Sequence, residues 1–141
     1  MTITEVQDSI IDEFSLFDDW MDKYNLLIDL GKELPVIDTK YKVKDFLIEG
    51  CQSKVWLHPE FDGNMISFTA DSDAIITRGI VALLIKVLSK RTPDEIITSD
   101  LYFIDKIGLR QNLSPTRSNG LLSMVRQMKL YAMAYNAKIS K

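Results

Sequence analysis

One stretch in the second half of the chain constrains the fold more than any other, because its apolar residues leave no clearly polar helical face. The stretch follows Asp73 and runs to about Ser89. Its apolar residues cover most of a helix circumference: Ile75, Ile76, Ile80, Val81, Leu83, Leu84, Val87 and Leu88. A helix that is apolar almost all round is a buried one. The sequence therefore predicts a central helix, capped by Asp73, that other elements surround.

The segment before this helix has the pattern of an antiparallel sheet. Residues 53–59 alternate, with Val55 on the inward side, and residues 66–71 alternate again. Asp62-Gly63 between them is a hairpin turn signal. Phe46-Leu47-Ile48 is a further short apolar run. These features predict a small antiparallel sheet of about three strands.

Helical spacing precedes the sheet. The apolar positions of this region fall three or four apart: Ile3, Val6, Ile10, Phe14, Phe17, Trp20, Tyr24, Leu27 and Ile28. Ser15 and Asp18 resemble a capping pair, so we expect two short helices that meet near Ser15. Gly31 stands where a glycine that ends a helix belongs.

Two further start signals follow the central helix. Thr92-Pro93-Asp94-Glu95 combines a threonine cap, a proline at the first helical position and a glutamate at the third. Ser114-Pro115 repeats this pattern for a final helix. Its inward stripe is Leu121, Val125, Met128, Ala132 and Tyr135. We expect one α+β domain over residues 1–141, a small antiparallel sheet covered by helices from both ends of the chain.

Composition narrows the function classes. The 141 residues suffice for one domain with one core, and the formal net charge of −3 comes without a basic run. Nucleic-acid binding therefore has no electrostatic basis. The first residues lack the features of a signal peptide, and the longest apolar run, Gly79 to Ile85, is far shorter than the roughly 20 residues that span a bilayer. We expect a cytoplasmic protein that binds neither nucleic acid nor membrane.

Cys51 is the only cysteine, and His58 is the only histidine. One of each can form neither an internal disulfide nor a four-ligand zinc site, and we expect no metal. Cys51 follows a glycine between two predicted strands, where a turn can present a side chain to a partner. Its polar neighbours Gln52 and Ser53 favour this interpretation over a buried, inert cysteine.

A cysteine–histidine hydrolase is the first rival function. His58 lies seven residues from Cys51 along a predicted strand, roughly 23 Å if the chain is extended, and on the opposite face. We therefore expect His58 at the surface and not in a catalytic dyad. Without a base, Cys51 remains adequate for sulfur transfer, in which a thiolate attacks a persulfide sulfur.

Several motifs in fixed order resemble the SufE family. They are Gly50-Cys51-Gln52-Ser53-x-Val55-Trp56, Ala70-Asp71-Ser72-Asp73-Ala74 and Leu113-Ser114-Pro115-x-Arg117-x-Asn119-Gly120-Leu121, preceded by Trp20, Tyr24 and Leu30-Gly31-Lys32-x-Leu34-Pro35. The resemblance covers nearly the whole chain and implies a SufE/NifU-like α+β fold.

The resemblance also implies a function. SufE proteins are sulfur acceptors in iron–sulfur cluster assembly, and the cysteine of the matching motif carries the persulfide, a role that falls on Cys51. The implied donor is a SufS-type cysteine desulfurase, which the acceptor stimulates, and the implied recipient is a SufBCD-type scaffold. Pyridoxal phosphate belongs to the desulfurase, so we expect no cofactor on this chain. The protein is then a sulfur relay and not a stand-alone enzyme.

The same motifs supply further candidates for the cysteine loop or a partner contact: Gly50, Gln52, Ser53, Asp71, Asp73, Arg117 and Asn119. Asp71 and Asp73 either cap the central helix or contact the desulfurase. Arg117 either begins the last helix or lies against the cysteine loop, where it holds the backbone carbonyls of the loop or favours the thiolate. Gly79 and Gly120 are interpreted as sites of close helix packing.

Three alternatives stay open. A closely related branch, CsdE, shares the cysteine motif and serves another desulfurase. A non-catalytic module could bind a desulfurase without carrying sulfur. The protein could be a monomer or a homodimer.

As a hypothesis, the Cys51 side chain is tucked toward the core in the free protein and swings out on docking, because an exposed persulfide would be lost to small thiols.

Overall fold

The helix with all-round apolar character is the central element of the structure. The computed structural model describes residues 1–139 and has an α+β fold. Within this part of the chain two 3-10 turns, Thr39–Tyr41 and Lys44–Phe46, accompany the main elements. In chain order these are α1 (Ile3–Ser15), α2 (Trp20–Lys32), β1 (Val55–Phe61), β2 (Ile66–Ser72), α3 (Ile75–Leu88), α4 (Pro93–Thr98), α5 (Phe103–Lys106), α6 (Leu109–Asn112) and α7 (Pro115–Ile139).

Helix α3 packs against α2, β2, α1 and α7, as its apolar circumference predicts. Its start differs from the prediction. Ala74 precedes the first helical residue, and the hydroxyl of Ser72 accepts a hydrogen bond from the Ala74 N–H at 3.2 Å. Asp73 does not cap the helix, because its carboxylate accepts from the Lys54 N–H at 3.0 Å.

The α2–α3 crossing is close because glycine lies on both helices. A Cβ atom on Gly79 would overlap the Leu27 carbonyl group, and one on Gly31 would come within 2.9 Å of the Gly79 nitrogen. The prediction that Gly79 serves close packing is confirmed. The prediction that Gly31 ends its helix is wrong, because α2 continues to Lys32 and Gly31 is buried in the crossing.

The sheet has two strands in the described part of the chain, one fewer than predicted. Strands β1 and β2 pair antiparallel, with Val55 opposite Ser72 and Phe61 opposite Ile66. The expected third strand is reduced to one bridge, between Leu47 and Trp56. The reason is that residues 44–46 form a 3-10 turn and so leave the extended conformation before pairing can continue.

Side-chain hydrogen bonds cap the starts of the first two helices. Helix α1 begins with a capping box between Thr2 and Glu5, and α2 begins at Asp19, whose carboxylate accepts from the Met21 N–H. The predicted cap at Ser15 is wrong. Ser15 is the last residue of α1, and its hydroxyl donates back to the Asp12 carbonyl at 2.7 Å.

Both later start signals are confirmed. Thr92 and Glu95 form a capping box with Pro93 in the first turn of α4, and the Ser114 hydroxyl accepts from the Arg117 N–H at the start of α7. Of the predicted inward stripe of α7, Leu121, Met128 and Ala132 are buried, whereas Val125 and Tyr135 are half-buried. In the region that the structure describes, no helix has the length and apolar character to cross a membrane.

A segment that we call the strap, residues 38–47, crosses the outward face of the β1–β2 hairpin. Both 3-10 turns lie in it, and both contact β1. None of its ten residues, all described, is buried. The strap leads directly into buried Ile48 and then into the segment that contains Cys51.

Candidate functional site

Cys51 lies in a loop, residues 48–54, that is closed at both ends by backbone pairing. The Ile48 N–H donates to the Val55 carbonyl at 2.9 Å, and Lys54 pairs with Asp73 through two hydrogen bonds, one to the carboxylate and one from the Asp73 N–H. We call this segment the cysteine loop. Gly50 turns the chain immediately before Cys51, with a φ of 89° that favours glycine.

The Cys51 side chain points toward α7. It is half-buried, and its Sγ donates to the Gly120 carbonyl oxygen at 3.6 Å. A Cβ on Gly120 would lie 3.4 Å from Sγ, an ordinary contact distance, so a side chain larger than alanine would enter the space beside the thiol. Beside the thiol is a cavity of about 80 Å³. Its lining residues come from the cysteine loop, α3 and α7: Cys51, Gln52, Ser53, Thr77, Ile80, Thr116, Arg117, Gly120 and Met124.

The environment of Cys51 favours the neutral thiol. Burial raises the pKa of the Cys51 thiol above its ordinary value, because the thiolate loses water contact. The expectation that Arg117 favours the thiolate gains no support from this shift, which has burial as its cause. In this conformation Cys51 is therefore a protected thiol and a poor nucleophile.

This protection predicts the pH dependence of Cys51 alkylation. We expect the iodoacetamide rate to rise with pH through a midpoint above that of a free thiol, because the folded protein favours the protonated form. In denaturant the midpoint should fall to about 8.5. Intact mass against time at a series of pH values measures both. A folded midpoint at or below the denatured one would contradict the prediction.

The structure brings only some of the predicted site residues to the cavity. Gln52, Ser53 and Arg117 line it with Cys51. Gly50 lies beside it and against α7, where an added Cβ would come within 2.5 Å of the Ser123 hydroxyl oxygen. Gly50 therefore lets the cysteine loop approach α7 closely.

Asp71 lies outside the cavity, in an ionic cluster. One carboxylate oxygen is 3.0 Å from the Lys42 Nζ and the other is 3.0 Å from the Arg78 Nε. Burial opposes ionisation of Asp71, but hydrogen bonds from Lys42 and the Ser72 N–H and the nearby Arg78 charge outweigh it, so the pKa of Asp71 lies below its ordinary value. The cluster joins the strap to β2 and α3. These ion pairs account for the position of Asp71 without either of the two roles considered for it, helix cap or partner contact.

Asp73 and Asn119 are also outside the cavity lining. Asp73 holds the end of the cysteine loop through Lys54, and so it influences Cys51 through the backbone. Asn119 is exposed on α7, one position before the glycine that faces Cys51.

Sequence reasoning missed Thr77, Thr116 and Met124, and it misread Gly120. The neighbour of Gly120 is the cysteine loop and not another helix. A glycine in the first turns of a helix, where it costs about 0.5–1 kcal/mol relative to alanine, was the available signal. It could show that something approaches closely but not which segment does.

His58 is not at the surface, contrary to the prediction. Its side chain is 12% exposed, stacks on the Tyr41 ring with centroids 3.5 Å apart, and meets the Phe46 ring edge-on at 4.9 Å. The strap covers it, which the strand pattern alone could not show. His58 does not line the Cys51 cavity. Within residues 1–139, no group of three or more His, Cys, Asp and Glu side chains is arranged to hold a metal ion.

Comparison with known proteins adds a family likeness to this geometry. A family model described as the SufE Fe-S metabolism associated domain matches residues 8–132. An uncharacterised SufE-like protein of Rhizobium etli is 42% identical over 127 residues, which cover 86% of each chain. SufE-like protein 1 of Arabidopsis thaliana, named as chloroplastic/mitochondrial, is 40% identical over 117 residues, covering 82% of this chain and 32% of the plant protein.

A solved structure supports the fold independently. The solution structure of a hypothetical protein from Thermus thermophilus matches with a TM-score of 0.76, covering 94% of this chain and 96% of that one. Its sequence identity is 14%, so the likeness concerns the fold alone.

Proposed function

Because this chain belongs to the SufE family, whose domain is associated with Fe–S metabolism, we propose that it is a sulfur carrier with Cys51 as the acceptor. The observation that carries the proposal is the position of Cys51: a lone thiol at the tip of a short loop, half-buried beside a small cavity. Such a cavity suits an atom that must be protected between two encounters.

The chemistry is a thiol–persulfide exchange. The Cys51 thiolate attacks the outer sulfur of a persulfide on the partner's cysteine, a new S–S bond forms on Cys51, and the bond within the donor persulfide breaks. The partner's cysteine leaves as a thiolate and takes up the proton that Cys51 gave up. One thiol and one persulfide are consumed and one of each is formed, so no external oxidant or reductant is required.

The residues around Cys51 have distinct tasks in this scheme. The Gly120 carbonyl oxygen accepts a hydrogen bond from the Cys51 S–H in the resting state, and burial keeps the thiol protonated until docking. Gly50 permits the turn that presents Cys51. Arg117 and Gln52, at the cavity, supply a guanidinium and an amide that can donate hydrogen bonds to a persulfide anion.

The proposal includes partners. The donor is a SufS-type cysteine desulfurase, which holds its own pyridoxal phosphate and turns over faster when its persulfide is removed. The recipient is a SufBCD-type scaffold. We place the relay in the cytoplasm, because a lone thiol persists in a reducing compartment. A CsdE-type role with another desulfurase uses the same chemistry.

A second candidate is a non-catalytic module that binds a desulfurase without carrying sulfur. The raised pKa and half-buried position of Cys51 are what such a module would also show. The Cys51→Ser variant distinguishes the two functions. Its stimulation of the desulfurase should equal that of the native protein if the protein is a binding module, and should be lost if the protein is a carrier.

The deciding experiment is intact-protein mass after incubation with a SufS-type desulfurase, pyridoxal phosphate and free cysteine, without reductant. We expect a gain of one sulfur mass that a thiol reductant removes and that Cys51→Ser lacks. Because serine is nearly isosteric and Cys51 is only half-buried, the variant should fold and serve as a matched control. No gain with an active desulfurase would overturn the carrier proposal.

A further inference from the structure

The strap connects the segment after helix α2 to the cysteine loop, and the hairpin holds it by side-chain contacts and by the Leu47–Trp56 bridge. The end of the cysteine loop continues into β1, whose Val55 and Leu57 are buried in the core. The start of the loop, Ile48, is also buried and pairs with the Val55 carbonyl, but the strap that precedes it, residues 38–47, has no buried residue. A movement of Cys51 that carries the start of the loop away from the hairpin must therefore move the adjoining end of the strap as well.

Besides the Leu47–Trp56 bridge, two side-chain contacts hold the strap on the outward face of the hairpin. One is ionic, with the Lys42 Nζ 3.0 Å from the Asp71 carboxylate and 4.9 Å from the Trp56 ring centroid. The other is aromatic, and we call it the aromatic clasp: Tyr41 stacked on His58, with Phe46 edge-on to both rings. The clasp bridges both 3-10 turns of the strap to one residue of β1.

His58 has an unusual position in the clasp. Its Nδ1 is buried and makes no hydrogen bond to any residue of the described chain. The nearest carboxylate oxygen, on Glu60, is 3.9 Å away, too far for a hydrogen bond, and the Glu60 side chain is 66% exposed. A buried polar atom without a partner is costly, and a charge at that position is costlier.

We propose that the aromatic clasp keeps the strap and the cysteine loop closed, and that proton uptake by His58 opens it. A protonated ring would carry its charge beneath Tyr41, where Nδ1–H would have no hydrogen-bond partner in the closed conformation. The ring regains hydration only if the strap lifts, and lifting frees the start of the cysteine loop. The inference rests on the proposed function for its purpose, since an exposed thiol is useful only to a carrier.

The charged groups around His58 act on its proton in both directions. From its own strand Glu60 favours the proton. From the first 3-10 turn Lys40, paired with Asp38 at 3.8 Å, disfavours it. The second 3-10 turn carries Lys44 and Asp45, which are both exposed. On β2, uncharged Thr69 lies opposite His58. Asp71, two positions further along β2, is ion-paired with Lys42 and Arg78.

The net effect on His58 is a preference for the neutral ring. Burial is the main cause that puts the pKa of His58 below its ordinary value, Glu60 opposes the shift, and Lys40 adds to it. Because the folded pKa is depressed, the stabilisation is present above about pH 6.5, the unfolded value, and is lost as the pH falls from there toward the folded pKa.

The first test uses the protein without desulfurase at one fixed pH, so that any change in the alkylation rate comes from the substitution and not from the pH. The rate of Cys51 alkylation by iodoacetamide, read by intact mass, should rise roughly tenfold in His58→Ala and Tyr41→Ala, the scale of one lost aromatic contact. His58→Phe keeps the stack and should stay near the native rate. Phe61→Ala is the matched control: it removes a ring contact of the same strand, with Tyr135 at 4.8 Å, away from the strap. Equal rates in all variants, or equal acceleration in Phe61→Ala, would overturn the clasp.

The second test isolates the proton. Amide hydrogen exchange of residues 38–47, corrected for the intrinsic pH dependence of exchange, should increase severalfold between about pH 7.5 and pH 5.5 in the native protein and not in His58→Phe. Unchanged or slower exchange at the lower pH would overturn proton release and would indicate that Glu60 moves in to bind the charged ring. Both tests omit the desulfurase, so their failure is distinct from a failure of sulfur transfer.

Discussion

Gly79→Ala is expected to destabilise the protein by about 3 kcal/mol, the upper part of the range for an overpacked core, because the new Cβ would overlap the Leu27 carbonyl group. The obstacle is backbone and not a flexible side chain, so α2 and α3 must move apart. Both helices contribute to the core, and α3 is its centre. Thermal unfolding should show a Tm about 10 °C lower.

Gly120→Ala is the control for this prediction, because it is also a glycine-to-alanine change in a helix. At Gly120 the added Cβ would meet Cys51 Sγ at 3.4 Å, an ordinary contact, and alanine favours the helix by about 0.5–1 kcal/mol. We expect its Tm to be unchanged or slightly raised. Similar Tm values for both variants would mean that the α2–α3 crossing accommodates a side chain at no cost.

Gly120→Val is expected to lower the rate of sulfur loading on Cys51 by about a hundredfold, equivalent to about 2.7 kcal/mol in the barrier. Alanine already reaches van der Waals contact with Sγ, so the two further methyl groups of valine must occupy space used by Cys51 or by the cavity of about 80 Å³. The measurement is the time course of sulfur mass gain with a SufS-type desulfurase.

Two controls assign such a loss to the cavity. Circular dichroism and Tm should show that Gly120→Val remains folded, and Gly120→Ala should load sulfur within a few-fold of the native rate. Normal loading by Gly120→Val would show that the persulfide does not use this side of the cysteine loop, and it would remove the protective role assigned to the cavity.

The elements of the fold were predictable where a local pattern determines them. The apolar circumference of α3, the Asp62-Gly63 turn and the Thr92 capping box are each encoded within one continuous segment of the chain, and each is observed. The third strand was not, because the apolar run at residues 46–48 fits a strand as well as a 3-10 turn. Short apolar runs carry too little periodicity to separate the two.

The candidate site was predictable in its centre but not in its surroundings. Cys51 and its flanking residues form one continuous motif, whereas Gly120 and Thr77 reach the cavity from segments distant in sequence. Periodicity reports that a residue is buried but not which residue buries it. The same limit explains His58, whose cover comes from the strap, a segment with no regular pattern of its own.

The anchoring of the cysteine loop at Val55 limits how far Cys51 can carry sulfur in the proposed relay. Val55 is fixed in the core, and Cys51 lies four positions before it in the chain. A fully extended chain of four residues spans at most about 14 Å. As long as Val55 stays in the core, the Cys51 Cα can therefore move only within this distance of Val55. A desulfurase whose reacting cysteine lies deeper than this below its own surface would have to admit part of the hairpin as well. The number of residues between Cys51 and Val55 therefore sets the depth at which Cys51 alone can reach the cysteine of the donor.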